Sequence, residues 1–187
     1  MPMTKREISN IAQKLRDKYD EINPEKLCQH LDIWYEYMPL GTDPHCLKGF
    51  ISRSNRCYCI IINSDLPKQL QRIIMFHEIG HYALNHLQNT VCAFQDYAIY
   101  DNAATMENEA NMFVAEYLLD TDETMQVLTE QNSFFGTASI LEVPPEILDF
   151  KWRMLKYYGY LSGQSPISVG SDCLRKMQVG SAINDEM

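Results

Sequence analysis

The sequence predicts a single α+β domain, with a three-stranded antiparallel sheet packed on one central helix and further helices around it. Three observations lead there. Residues 32–63 hold three short strand-like runs parted by turn residues, the first alternating and rich in Ile, Trp and Tyr. Residues 66–87 carry Ile73, Ile74, Phe76, Ile79, Ala83, Leu84 and Leu87, apolar nearly all round a helix, which suits a buried position. The flanking segments keep apolar residues three or four apart. At 187 residues the chain is long enough for one domain with a substantial core.

The elements follow in order. Thr4-Lys5-Arg6-Glu7 is a capping-box pattern, and Ile8, Ile11, Ala12, Leu15 and Tyr19 continue it as an amphipathic helix over 5–19. Asn23-Pro24 pairs an N-cap with proline at the first helical position, opening a short helix to about Leu31. Strands are expected over 32–38, 47–53 and 57–63, the last two joined by a hairpin at Ser54-Asn55-Arg56. Asn63-Ser64-Asp65 offers caps for the central helix. Residues 88–104 read as irregular. A strong helix spans Thr105 to Leu119, a weaker one 122–130, and Pro144-Pro145 opens another to about Tyr158. The domain is expected over 1–160. Residues 161–187, rich in Ser and Gly with little periodicity, are expected to form a polar, mobile tail.

Composition narrows the function. Asp and Glu number 25 against 16 Lys and Arg, giving a net charge of −9. Such a surface disfavours direct nucleic-acid binding, which needs clustered cations. The polar start, Met1 to Glu7, has no signal-peptide core, and no apolar run reaches the length of a membrane span. A cytoplasmic, membrane-free location is the expectation. The six cysteines lack C-x-x-C spacing and read as free thiols. Cys57 and Cys59 share a strand face, a poor geometry for a disulfide.

The chemistry centres on His77-Glu78-Ile79-Gly80-His81. Residues four apart on a helix lie about 40° apart, so the two imidazoles face one way, as zinc requires. Glu78, about 100° round from His77, is placed to take a proton from an attacking water. Gly80 in a helix interior costs about 1 kcal/mol relative to Ala, so close packing is expected there.

A catalytic zinc needs a third protein ligand. His86 falls about 180° from His77 and about 140° from His81, and so is expected to point away and to face the helix C-terminal dipole. Nothing places His30 or His45 near the motif. Carboxylates in Glu107-Asn108-Glu109 are the better source. With Glu107 at zero, Asn111 falls near 40° and Val114 about −20°, on the apolar stripe, while Glu109 falls about 200° away with Glu116 on a face expected to be solvated. An inward carboxylate needs a cation, so Glu107 is the candidate ligand. Asn111, one turn on, is placed either to orient a ligand histidine or to bind backbone. Tyr82, Tyr97 and Tyr100 are candidate donors to a developing oxyanion. A zinc-stabilised binding module without catalysis is the rival reading. Glu78 argues against it, because a structural site has no use for an unliganded carboxylate and is usually closed by four protein ligands.

Over residues 5–158 the chain resembles the ImmA/IrrE metallopeptidases. The resemblance rests on Ile22-Asn23-Pro24, Ile62 to Pro67, Arg72 to Phe76 and the run His77 to His86. It continues through Glu107-x-Glu109-Ala110-Asn111-x-Phe113-Val114-Ala115 and Leu118-Leu119. It implies a zincin-like, gluzincin-like domain with zinc on His77, His81 and Glu107 and with Glu78 as the catalytic carboxylate. It also implies a peptidase that cuts a helix-turn-helix repressor, often on a mobile element or prophage. Many relatives end the second motif in a Leu-Leu-Met-Pro-like run, whereas this chain has Leu118-Leu119-Asp120-Thr121.

Overall fold

The last strand in sequence takes the middle of the sheet. The computed structural model describes residues 2–43, 46–55, 57–88, 100–130, 133–167 and 169–176, without the side chains of 88, 100–103 and 175–176. The strands are β1 (Ile33–Met38), β2 (Gly49–Ser54) and β3 (Cys57–Asn63), in the order β1-β3-β2. Strands β2 and β3 form the expected antiparallel hairpin, with Ile51 opposite Ile60. Strand β1 instead runs parallel to β3, with Ile33 opposite Tyr58 and Met38 opposite Asn63. The sheet is therefore mixed, not wholly antiparallel.

The reason lies in β3 and in the loop before β2. Ile60, Ile61 and Ile62 are buried one after another, a pattern of a strand covered on both faces. Strand β1 alternates, with Ile33 buried and Trp34 exposed, as an edge strand does. Leu40, Gly41 and Leu47, in the segments between β1 and β2, lie at the end of β3, where the buried Asn63 holds them. Its Nδ2 donates to Gly41 O (2.8 Å) and Leu47 O (3.1 Å), and its Oδ1 accepts from Leu40 N (3.1 Å). Asn63 thus organises the crossover and does not cap the next helix, whose N-cap is Pro67 with no side-chain bond.

Helix α1 (Lys5–Tyr19) opens with the expected capping box, and α2 (Pro24–His30) with Asn23 as N-cap. Helix α3 (Lys68–Ala83) carries the histidine motif under the sheet, and Leu70 to Gly80 contribute ten buried residues apart from Arg72. Gly49 lets β2 approach α3: a Cβ built there lies 2.6 Å from Ile74 Cγ2. The motif helix stops at Ala83, four residues before the expected end. Asn85 takes a left-handed conformation (φ 57°), and a 3₁₀ turn, His86–Gln88, turns the chain aside. Helix α4 (Tyr100–Leu118) starts earlier than expected and packs along α3, with Gly80 against Phe113.

Helices α5 (Thr121–Glu130), α6 (Phe134–Ile140) and α7 (Pro145–Tyr157) follow; α7 packs on α4, and its Ile147, Leu148, Phe150 and Leu155 are buried. Helix α8 (Cys173–Lys176) falls where a polar tail was expected. Cys173 and Leu174 are buried in the core, and Ile167 and Val169 pack against it. These residues add to the core, contrary to the reading from composition. The tail hid them because four apolar residues among Ser and Gly show no period. Among the described residues no helix is long and apolar enough to cross a membrane.

Candidate metal centre

Helices α3 and α4 bring three donor atoms to one point. His77 Nε2 lies 3.0 Å from His81 Nε2 and 3.1 Å from Glu107 Oε2, and His81 Nε2 lies 3.4 Å from Glu107 Oε1. Helical spacing supplies the histidine pair. The contact of Gly80 with Phe113 and Ala110, on the same side of α3, sets how closely α4 brings Glu107.

The donor set fits a metal ion. Two imidazole nitrogens and a carboxylate oxygen suit zinc, and ligands about 2.0–2.1 Å from a tetrahedral ion stand about 3.3 Å from one another. The observed separations of 3.0 to 3.4 Å fall around that value. His77 is buried, while the Glu107 side chain is 43% exposed, so the site opens to solvent on the Glu107 side. That exposure differs from the expectation of a core-facing Glu107.

The second nitrogens of both rings are occupied. His77 Nδ1 lies 2.9 Å from Asn111 Oδ1, which only accepts, so Nδ1 carries the proton and Nε2 is bare toward the site. Asn111 Nδ2 donates to Ser171 O at 2.8 Å, so the C-terminal segment steadies this amide. His81 Nδ1 lies 2.9 Å from His86 Nδ1, and His86 Nε2 lies 3.0 Å from Glu109 Oε2. Glu109 Oε1 accepts from Met3 N at 2.6 Å.

Two expectations are corrected here. His86 does not point away, because angular bookkeeping assumed a helix through 86, and the turn at Asn85 swings the ring back to His81. Glu109 is not solvated but 5% exposed. Glu116, on the same face, is covered too: its side chain meets Lys151 Nζ at 2.8 Å and Ser9 Oγ at 2.6 Å. Helix α4 has neighbours on nearly every side, so its polar face is buried and paired, not wet. A sequence signal existed for this pair, since His86 and Glu109 both lie in the runs that carried the family resemblance.

Electrostatics follow burial. Glu78 is 7% exposed, and burial pushes its carboxyl up to about 7, aided by Glu107 and opposed by His77 and the backbone of Ile51. Burial drives His81 down to about 4, against the pull of Glu107, so it stays neutral near pH 7. Burial would raise Glu107, but the His77 and His81 rings beside it outweigh burial and hold the carboxyl far below the usual range. For His77 burial acts downward, yet Glu107, Glu78 and Asn111 together raise it.

The other candidates lie elsewhere. The Tyr82 ring is edge-on to Tyr58 at 4.8 Å. Tyr97 and the side chain of Tyr100 lie outside the described residues, as do His45 and Cys92. His30 stacks on Tyr19 at 5.2 Å. Cys28, Cys46, Cys57, Cys59 and Cys173 are free.

Fold and donor set define a small α+β domain built around a His–His–Glu triad that could hold a metal ion. The comparison with family models makes this specific: the chain belongs to the peptidase family described as the IrrE N-terminal-like domain, which matches residues 28–153. A search of curated proteins finds no match.

Proposed function

We propose that this protein is a zinc-dependent endopeptidase, and that its substrate is a helix-turn-helix transcriptional repressor whose cleavage relieves repression. The observation that carries the catalytic reading is the convergence of His77 Nε2, His81 Nε2 and Glu107 within 3.0 to 3.4 Å, with the buried Glu78 next to it in sequence. His77, His81 and Glu107 would hold the ion. When bound, zinc polarises the scissile carbonyl and acidifies water.

The chain's own residues supply the rest. Glu78, with a carboxyl near 7, is matched to proton transfer at neutral pH: it takes a proton from the attacking water and passes it to the leaving amine. Asn111 and His86 hold the second nitrogens of the two imidazoles, leaving the first nitrogens turned to one point. Strand β2 is an edge of the sheet, and its Ile51 backbone meets Glu78, so an extended substrate running along β2 would lie beside the carboxylate. The repressor assignment rests on the family resemblance, and the net charge of −9 suits a basic, DNA-binding partner.

The test is incubation with a candidate helix-turn-helix repressor from the same genome, with and without a chelator. Cleavage that is lost with chelator and restored by zinc is the expected result. Tight binding without cleavage by the zinc-loaded protein would favour a binding module instead.

A further inference from the structure

We propose that His86 and Glu109 are positioning residues for His81, acting as a relay that fixes which nitrogen of His81 faces the metal site. The inference rests on the reading of His81 as a ligand, and it extends that reading to residues off the triad. The relay has three links. His81 Nδ1 and His86 Nδ1 stand 2.9 Å apart, so one must donate and the other accept. His86 Nε2 stands 3.0 Å from Glu109 Oε2, which accepts, so His86 carries its proton on Nε2. A neutral His86 then has a bare Nδ1, and His81 must supply the proton between them. That leaves His81 Nε2 bare, aimed at His77 Nε2 and Glu107.

Burial makes this arrangement definite. His86 is 7% exposed and Glu109 5%, so water is poorly placed to substitute for either partner. Glu109 is itself fixed by Met3 N on its other oxygen. The relay thus runs from the segment before α1, through α4 and the turn after α3, to the motif helix. His77 is served differently, by a neutral amide, Asn111. The two rings are set by independent devices, and loss of the relay should disturb His81 alone. Outer partners of this kind support metal affinity by about 10–100-fold.

The decisive experiment reads the tautomer of His81 by nitrogen NMR of the metal-free protein at pH 8, alongside zinc affinity from chelator competition. The metal-free readout does not depend on whether the protein is a peptidase. Wild type should carry the His81 proton on Nδ1. His86→Phe keeps a ring but offers no acceptor. It should shift His81 toward the Nε2 proton and weaken zinc binding about 10–100-fold. His86→Asn places an amide oxygen near the lost nitrogen and should restore both. A wild-type His81 protonated on Nε2 would overturn the proposal, as would a His86→Phe protein with unchanged tautomer or unchanged affinity. If His86→Phe does not fold, the wild-type tautomer and the Asn variant decide. A wild type that binds no zinc would sink the peptidase reading, while the tautomer comparison would still judge the relay.

Discussion

Gly49→Ala tests how the sheet is seated on the motif helix. The added Cβ would lie 2.6 Å from Ile74 Cγ2 and 3.1 Å from both Ile61 O and Ile62 Cδ1. An ordinary carbon contact is about 3.5–4.0 Å, so the Ile74 methyl must retreat by about 1 Å. It has little room. Ile74 is 3% exposed, and its Cγ2 is fixed by a stiff, branched χ1 on a helix. Overpacking of this kind costs about 1–3 kcal/mol, against about 0.5–1 kcal/mol gained by replacing glycine in a strand. The net loss should reach up to about 2.5 kcal/mol, which for a domain of this size lowers Tm by up to about 5–10 °C. The displacement lifts β2 from α3 and loosens the contact between Ile51 and Glu78. Thermal melts of Gly49→Ala, Ile74→Ala and the double variant form the assay. Ile74→Ala removes the clashing methyl, so the double variant should be more stable than the sum of the single losses by about 1–3 kcal/mol. A Gly49→Ala protein that melts at or above wild type, or strictly additive losses, would refute the packing argument.

Other perturbations address the site and its supports. Glu107→Ala should abolish zinc content by elemental analysis, since two histidines alone make a poor site. Glu78→Gln should keep zinc and partner binding but lose cleavage in a product assay; turnover at the wild-type rate would remove Glu78 from the chemistry. The same variant has a pH signature in the metal-free protein. Burial raises the Glu78 carboxyl from 4.5 to about 7, so its contribution to stability is complete below about 4.5 and is lost as pH rises through about 7. Glu78→Gln should therefore gain on wild type between pH 5 and pH 8 in urea melts, by on the order of 3 kcal/mol at most. Truncation after Tyr160 removes the buried Cys173 and Leu174 and the Ser171 carbonyl that holds Asn111. It should lower stability by about 2–5 kcal/mol and weaken zinc binding, where a wholly detached tail would change neither.

Much of the fold was legible because the signals are local. Thr4 and Asn23 are caps that act within one turn, and the observed α1 and α2 begin where they direct. The hairpin at Ser54-Asn55 and the apolar run of β3 likewise gave strands close to those observed. The pairing of β1 was not legible. Alternation reports which residues face inward but not which strand lies alongside, and Asn63 does its fastening through partners up to 23 residues away.

At the site the division is sharper. The sequence by itself determined the pair His77 and His81 and the neighbouring Glu78, because helix periodicity makes four-residue spacing a statement about space. It also picked out Glu107 and Asn111, whose spacing along α4 sends them to one side together. Only the tertiary structure decided what lies around those groups. The left-handed turn at Asn85 reverses the direction of His86, and no periodicity can be carried through such a turn. Glu109 and Glu116 are buried because His86, Met3, Ser9 and Lys151 arrive from other elements to pair with them. A charged face reads as solvated when a helix is considered alone. Whether it meets water or a partner is fixed by packing, since a buried carboxylate is tolerated wherever donors converge on it.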